Sequence, residues 1–232
     1  MMWIISVLST LPYLITILTI ATSNTSSASI TFQCSFQKDF TTFHHDFQYV
    51  EFYECFLKTP FYITTRNSTV DIVYGRLTSH ASEKSNNDVT ELFINRKTLH
   101  FMPTNFGEIF KNLKYLAVWN SQLEEINQPD LKQFPNLVYL CLRFNNFEYL
   151  DADLFKFNPK LEFVRLFGNK IKEIHTTAFE GLTSLKTLNL ERNICVDKMF
   201  VNSEDEVKEF VENLPNLCQF SNEIANFTEN SE

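Results

Sequence analysis

From Val89 onward the chain alternates apolar and polar residues in a frame that returns every 24 residues. Val89, Leu113, Leu137, Leu161 and Leu185 open successive segments. Three residues later stand Leu92, Leu116, Leu140, Val164 and Leu188, and two beyond those Ile94, Val118, Leu142, Leu166 and Leu190. Such period-two alternation of branched aliphatics predicts one short strand per segment, with these side chains on one face. A fixed period without insertions predicts a repeat, because no single segment can bury its apolar face alone. Apolar residues in the second half of each segment, such as Ile126, Leu131 and Phe134, or Ile174, Phe179 and Leu182, are expected to close the core from the other side.

The ninth position of the frame reads Lys97, Ser121, Asn145, Asn169 and Asn193, and the eleventh Leu99, Leu123, Phe147, Ile171 and Cys195. Asparagine at a tight bend satisfies backbone groups of adjacent segments. Lysine cannot do this and serine does so only in part, so the first two segments are expected to be less regular. Asn158 falls where the other segments place Phe110, Phe134 and Leu182, and is expected to shift Phe155 or Phe157 into that slot. Written out, LVYLCLRFNNF, LEFVRLFGNKI and LKTLNLERNIC follow the pattern LxxLxLxxNxL. Over Val89 to Cys195 the chain resembles the leucine-rich repeat family. The resemblance implies an α/β fold: a right-handed leucine-rich repeat solenoid, or horseshoe, of about five 24-residue repeats with a parallel concave sheet and capped ends.

The flanks supply the caps. Five cysteines, if they pair, imply two bridges and one residue left over. The local pairing is Cys34 with Cys55 before the repeats and Cys195 with Cys218 at their end, each closing a loop of about twenty residues for about 3 kcal/mol of stabilisation. This resembles the cysteine-flanked caps of extracellular leucine-rich repeat proteins, in a short form with two cysteines per cap. Val70 to Tyr74 predicts a strand that starts the sheet, and the ring-rich stretch from Phe32 to Tyr62 reads as cap core. Ser203 to Glu206 forms a capping box leading into Val207, Phe210, Val211 and Leu214 at helical spacing, so one amphipathic helix is expected over the last coil.

Met1 to Gln37 carries no charged side chain, and Ile4 to Ile20 is mostly Ile, Leu, Val and Thr. This stretch reads as a secretory signal cleaved after Ser23 or Ala28, with a retained N-terminal anchor as the other reading. The expected organisation is then a signal over residues 1–23, an N-terminal cap over 29–88, repeats over 89–195, a C-terminal cap over 196–220 and an acidic tail over 221–232. Sequons at Asn67 and Asn226, and at Asn24 if cleavage precedes it, fit a glycosylating pathway and a secreted, extracellular location.

The net charge of −8 opposes a nucleic-acid partner, and four glycines provide no phosphate-cradling loop. No cofactor is implied. His44, His45 and Asp46 form the one conspicuous polar cluster, and adjacent histidines without further ligands make a poor metal site. The sequence offers no catalytic or metal-ligating set, and the chain reads as a non-enzyme. What it does offer is a surface: side chains alternating with the core leucines should line the concave face, and the middle coils place Tyr115, Trp119, Tyr139, Phe144, Phe163 and Phe167 there, interleaved with Arg143 and Arg165. Aromatics with arginine are the residue types of binding hot spots. The expected function is protein binding through this face, in adhesion, receptor-type or innate-immune recognition; the other reading is a homo-oligomeric structural or complex-forming subunit. Two alternatives stay open: the rings take a ligand or cover one another, and Cys141, outward between Leu140 and Leu142, links two copies or is an inert thiol.

Overall fold

A computed structural model describes residues 29–39, 52–57, 60–75, 84–214 and 218. The apolar N-terminal segment, His44 to Asp46, Asn226 and the acidic tail lie outside the described residues. The strands are β1 (Ser29–Asp39), β2 (Phe52–Leu57), β3 (Tyr62–Ile63), β4 (Thr69–Gly75), β5 (Glu91–Asn95), β6 (Thr98–Leu99), β7 (Tyr115–Trp119), β8 (Tyr139–Cys141), β9 (Tyr149–Leu150), β10 (Phe163–Arg165), β11 (Glu173–Ile174), β12 (Thr187–Asn189) and β13 (Met199–Phe200). The helices α1 (Phe106–Ile109) and α2 (Gln128–Lys132) sit in the second halves of two coils, and α3 (Glu204–Asn213) follows the last one.

One nine-stranded sheet runs in the order β13-β12-β10-β8-β7-β5-β2-β1-β4. Its centre, from β5 to β12, is parallel and pairs residues 24 apart: Leu92 with Leu116, Leu116 with Leu140, Leu140 with Val164 and Val164 with Leu188. The 24-residue frame is therefore the strand register. All five spine residues are fully buried, as are Ile94, Val118, Leu142, Leu166 and Leu190. The core is continuous from the N-terminal cap to Leu214 and Cys218, as nearest-neighbour stacking of coils requires.

The asparagines form a ladder along the turns. Asn145 donates its amide to the carbonyls of Val118 (2.8 Å) and Leu142 (2.9 Å), while its Oδ1 accepts from Ser121 N (3.0 Å) and Leu123 N (3.2 Å). Asn169 repeats this with Leu142, Leu166 and Asn145 N, and Asn193 with Leu166, Leu190 and Ile171 N. Each amide thus ties its own bend to the preceding coil, at roughly 1 kcal/mol net per bond and more when one partner is deleted. In the second coil Ser121 accepts only one bond, from Lys97 N at 3.3 Å, and turns its hydroxyl onto the Trp119 carbonyl. The first two coils are nonetheless not irregular: β5 and β7 each have five residues, where β8, β10 and β12 have three. Pairing along the sheet compensates for the weaker turn ladder.

Asn158 also departs from expectation, because it keeps its slot. It is fully buried and donates to the carbonyls of Leu131 and Phe134, both at 2.9 Å. Phe155 stays in its own column and stacks on Phe179 at 5.4 Å, while Phe157 points outward beneath the Lys132 amine. An amide pointing back at the carbonyls of the previous coil replaces a ring there without displacing anything.

Disulfides Cys34–Cys55 and Cys195–Cys218 close the two ends. At the N-terminal end β2 lies against β5 in parallel register, Cys55 opposite Leu92, and β1 pairs antiparallel with β2. The strand expected at Val70 to Tyr74 exists as β4, at the outermost edge of the sheet beside β1. At the C-terminal end β13 turns antiparallel to β12, and α3 packs Val207 and Phe210 onto the last coil, with Phe210 5.0 Å from Phe200. Ser203 precedes α3 without a side-chain cap bond; its amide donates to the Lys186 carbonyl instead. The helix start is favoured by Glu204, Asp205 and Glu206, whose charges oppose the macrodipole.

Candidate functional site

The outward side chains of the sheet fall into four columns, and exposure rises from the first to the last. In the column of Glu91, Tyr115, Tyr139, Phe163 and Thr187 every residue is buried, with Tyr139 only 1% exposed. In the next, Phe93, Ala117, Cys141 and Asn189 are buried and Arg165 is partly covered. The third holds Trp119, buried, with Asn95, Arg143, Phe167 and Glu191 half-covered. The fourth, Arg96, Asn120, Phe144, Gly168 and Arg192, forms the rim where the chain leaves the strands, and there Arg96, Asn120, Phe144 and Arg192 are exposed.

The open display expected for Tyr115, Trp119, Tyr139 and Phe163 is corrected: these four residues belong to a second buried cluster with Phe93, Ala117 and Cys141. Parallel strands about 4.8 Å apart bring rings of one column into contact. Tyr115 lies 6.4 Å from Tyr139 and Tyr139 6.2 Å from Phe163, while Trp119 sits edge-on to Phe93 at 4.6 Å. Burial raises the pKa of the Tyr139 and Tyr115 hydroxyls above the ordinary value. Cys141 is the free cysteine, and it is fully buried under Trp119, whose Nε1 donates to its Sγ at 3.0 Å. Burial raises the thiol pKa despite the neighbouring Arg143. A thiol held neutral and covered in this way is not placed to bridge two copies.

The arginines lie across the rings. The Arg143 guanidinium sits 3.4 Å from the Trp119 ring centroid, Arg165 5.8 Å from Tyr139 and Arg192 5.1 Å from Phe167. Among the described residues no carboxylate pairs with Arg143 or Arg192.

The rim has its own backbone signature. All five of its residues are left-handed: Arg96 (φ 53°), Asn120 (48°), Phe144 (56°), Gly168 (68°) and Arg192 (54°). The turn ladder explains this at Phe144, Gly168 and Arg192, where the asparagine that follows bonds the carbonyl three residues before itself and closes a tight bend. For a side chain other than glycine that conformation costs on the order of 1 kcal/mol, so the bends hold four such side chains at the rim against their intrinsic preference. Gly168 has a further role. A Cβ on it would lie 2.6 Å from Phe144 Cδ1, so the Phe144 ring occupies the space above Gly168. That ring meets Phe167 edge-to-face at 4.8 Å and remains 39% exposed.

Of the residues singled out from sequence, Arg143, Phe144, Arg165 and Phe167 reach the surface, and Tyr115, Trp119, Tyr139 and Phe163 form the floor beneath them. Arg192 and Gly168 join the rim; the signal for them was a glycine at the register position that elsewhere holds arginine, asparagine and phenylalanine. Asn67 is exposed at a left-handed turn, beside the Arg66–Glu125 ion pair. Among the described residues no helix is long and apolar enough to cross a membrane, and no group of three or more His, Cys, Asp or Glu converges.

A parallel sheet built on a 24-residue leucine spine, an asparagine turn ladder and disulfides at both ends define a leucine-rich repeat solenoid. The Leucine rich repeat family model matches residues 111–171. Two human proteins are similar to part of the chain: leucine-rich repeats and immunoglobulin-like domains protein 1, 27% identical over 107 residues, and Toll-like receptor 3, 27% identical over 101 residues. The matches cover 46% and 43% of this chain, which spans only 10% and 11% of those proteins. Among solved structures, the TLR13–ssRNA13 complex matches at a TM-score of 0.45 and 24% identity, over 55% of this chain and 18% of that one. The ectodomain of the receptor kinase SOBIR1 from Arabidopsis thaliana matches at 0.37 and 24%, over 44% and 55%.

Proposed function

We propose that this chain is a secreted, non-catalytic recognition module that holds a protein partner on the exit rim of its concave face. The observation that carries the reading is the Phe144 ring, left 39% exposed over Gly168 and braced by Phe167. An aromatic side chain already fixed in place loses little entropy on binding, and such rings anchor interfaces. Arg143 and Arg192, stacked on Trp119 and Phe167, flank it with positive charge that no described carboxylate neutralises. The partner surface that fits is an apolar pocket bordered by carboxylates. Arg165 extends the same strip, and the buried rings of Tyr115, Tyr139 and Phe163 act as its rigid base.

The charge-free apolar N-terminus and the two disulfides support export into an oxidising compartment. Exposed Asn67 is a glycan acceptor in this reading, and Asn226 a second. The homo-oligomeric alternative, if it holds, runs through the rim and not through buried Cys141. One experiment separates these outcomes. The full chain and its Phe144→Ala variant serve as paired baits in the native extracellular fluid, with captured proteins identified by mass spectrometry and bait mass measured by light scattering. A heterologous partner held by the parent and lost by the variant is expected. A partner held equally by both removes the rim from the account, and a parent that elutes as a dimer, with the variant monomeric, makes the partner a second copy.

A further inference from the structure

The opposite edge of the sheet, where the chain enters the strands, carries a cleft of about 760 Å³. We propose that this cleft binds a linear acidic polysaccharide, a sugar chain bearing sulfate or carboxylate groups, independently of the exit rim. Its walls are polar and repeat with the coils, with Lys84, Lys114 and Lys160 set among Asn112, Asn136 and Thr90.

Charge is the first argument. Three cations elsewhere on this solenoid face an acid one coil away: Lys186 meets Glu162 at 2.8 Å, Lys172 meets Glu148 at 2.7 Å and His100 meets Glu124 at 3.0 Å. The cleft interrupts that pattern. One coil before and after Lys114 stand Thr90 and Val138, and beside Lys160 stand Asn136 and Ser184. Lys160 turns its amine onto the neutral Asn136 Oδ1 at 2.7 Å, and among the described residues the one ion pair within the cleft joins Lys84 to Asp88 at 3.4 Å. Among the lining side chains three ammonium groups stand against one carboxylate, a surplus of two positive charges in a chain whose net charge is −8.

Spacing is the second argument. Lys114 enters β7 and Lys160 precedes β10, two strands further along the sheet, so their backbones stand roughly 10 Å apart at the usual strand separation. A row of amines at that interval matches anionic groups spaced along an extended sugar chain better than one compact anion. Around them the asparagine amides and Thr90 present donors and acceptors suited to hydroxyls, with Asn112 fixed by its bond to the Asn87 carbonyl at 2.8 Å. The composition also discriminates against a polynucleotide. Single strands are held by rings on which bases stack, and the one ring in this cleft belongs to Tyr115, 6% exposed. Lysine, a compact point charge, takes sulfate or carboxylate without the planar fork that arginine supplies.

The test titrates the full chain, with both disulfides formed, against three hexasaccharides in a calorimeter: one sulfated and heparin-derived, one polyuronate and one neutral. Binding of at least one acidic sugar and none of the neutral one is expected. Lys114→Gln combined with Lys160→Gln should weaken that binding about tenfold, a difference read directly as an affinity ratio. Lys170→Gln, an exposed lysine outside the cleft, should leave it unchanged, as should Phe144→Ala, which keeps a failure of this site distinct from a failure of the rim. Absence of acidic-sugar binding, equal affinity in the double variant, or tighter binding of an oligonucleotide of matched charge would each overturn the proposal.

Discussion

Tyr139 and Phe144 stand five residues apart in one coil, both aromatic and both outward from the leucine spine, yet Tyr139 is 1% exposed and Phe144 39%. The difference is set by column. Tyr139 rises from the start of a strand, where rings of neighbouring coils lie 6.2 and 6.4 Å away. Phe144 leaves from a left-handed bend past the strand's end, where one neighbour is Gly168 and the other Asn120. A side chain directed away from the main core is therefore not thereby exposed: on a sheet of closely spaced parallel strands, wide rings make a second core.

The largest effect expected from this contrast is on stability. Tyr139→Ala removes a fully buried ring and leaves a cavity between Tyr115 and Phe163, at a cost of about 3–5 kcal/mol. In a chain of this size that corresponds to a fall in melting midpoint of roughly 10 °C or more. Differential scanning calorimetry reads it directly. A fall of only a degree or two would mean that the floor is a surface and that the division into floor and rim is unsound.

The spine, the parallel register and both disulfides were legible in the sequence because each follows from a strict period or from local pairing. Leu92, Leu116, Leu140, Val164 and Leu188 occupy one line in the chain and one line in the sheet. The site was legible only as a list of candidates. Alternation tells which face a residue leaves from, but not how far the adjacent rings reach, so Tyr115, Trp119, Tyr139 and Phe163 read as surface. Nor does alternation reveal backbone handedness, and the rim is defined by a left-handed bend recurring at Arg96, Asn120, Phe144, Gly168 and Arg192. Asn158 escaped for a related reason: its place in an apolar column is explained by two carbonyls of the previous coil that become visible only once coils are stacked.

A probe remote from both regions sharpens the contrast. Asp130, in α2 on the loop half of its coil, has its carboxyl raised to about 6, chiefly by burial and further by Glu125, against the bond it accepts from Asn127 N at 2.9 Å. Between the ordinary value of 3.8 and about 6, the folded chain keeps a proton that the unfolded chain has released. Stability from this group is therefore highest at low pH and falls as pH rises through that window. Asp130→Asn retains an oxygen for the Asn127 amide and removes the titration, so it should gain on the order of 2 kcal/mol at pH 7 and nothing near pH 3.5. Urea titrations at the two pH values check this. Partner capture at the rim should not follow that change; if it does, rim geometry depends on global stability and the two regions are not separable.

Gly168→Ala acts on the rim itself. The added methyl meets both an unfavourable φ of 68° and the Phe144 ring, 2.6 Å from the ideal Cβ position. The expected cost is about 1–2 kcal/mol, with the ring displaced from Phe167. Capture should fall by more than that loss of stability accounts for, because the unfolded fraction stays negligible. Surface plasmon resonance against the captured partner, paired with a melting curve, distinguishes the two effects. Unchanged affinity would show that the partner does not read Phe144 in its braced position.

The smallest expected effect on stability is also the most decisive for function. Phe144→Ala removes a ring that is already 39% exposed and sits at a left-handed bend. The apolar area lost from the folded state is modest, and the bend it leaves is held by Asn145 bonds to Leu142 and Val118 that the substitution does not touch. A change in melting midpoint within about 2 °C follows. Binding should respond quite differently, because truncating a central anchor commonly costs 2 kcal/mol or more, a loss of about thirtyfold in affinity. Floor and rim then have opposite signatures: Tyr139→Ala lowers stability and takes binding down with it, whereas Phe144→Ala lowers binding alone. A Phe144→Ala protein that melts as the parent does and binds as the parent does would leave the exposed ring without a role, and the exit rim would cease to be the site.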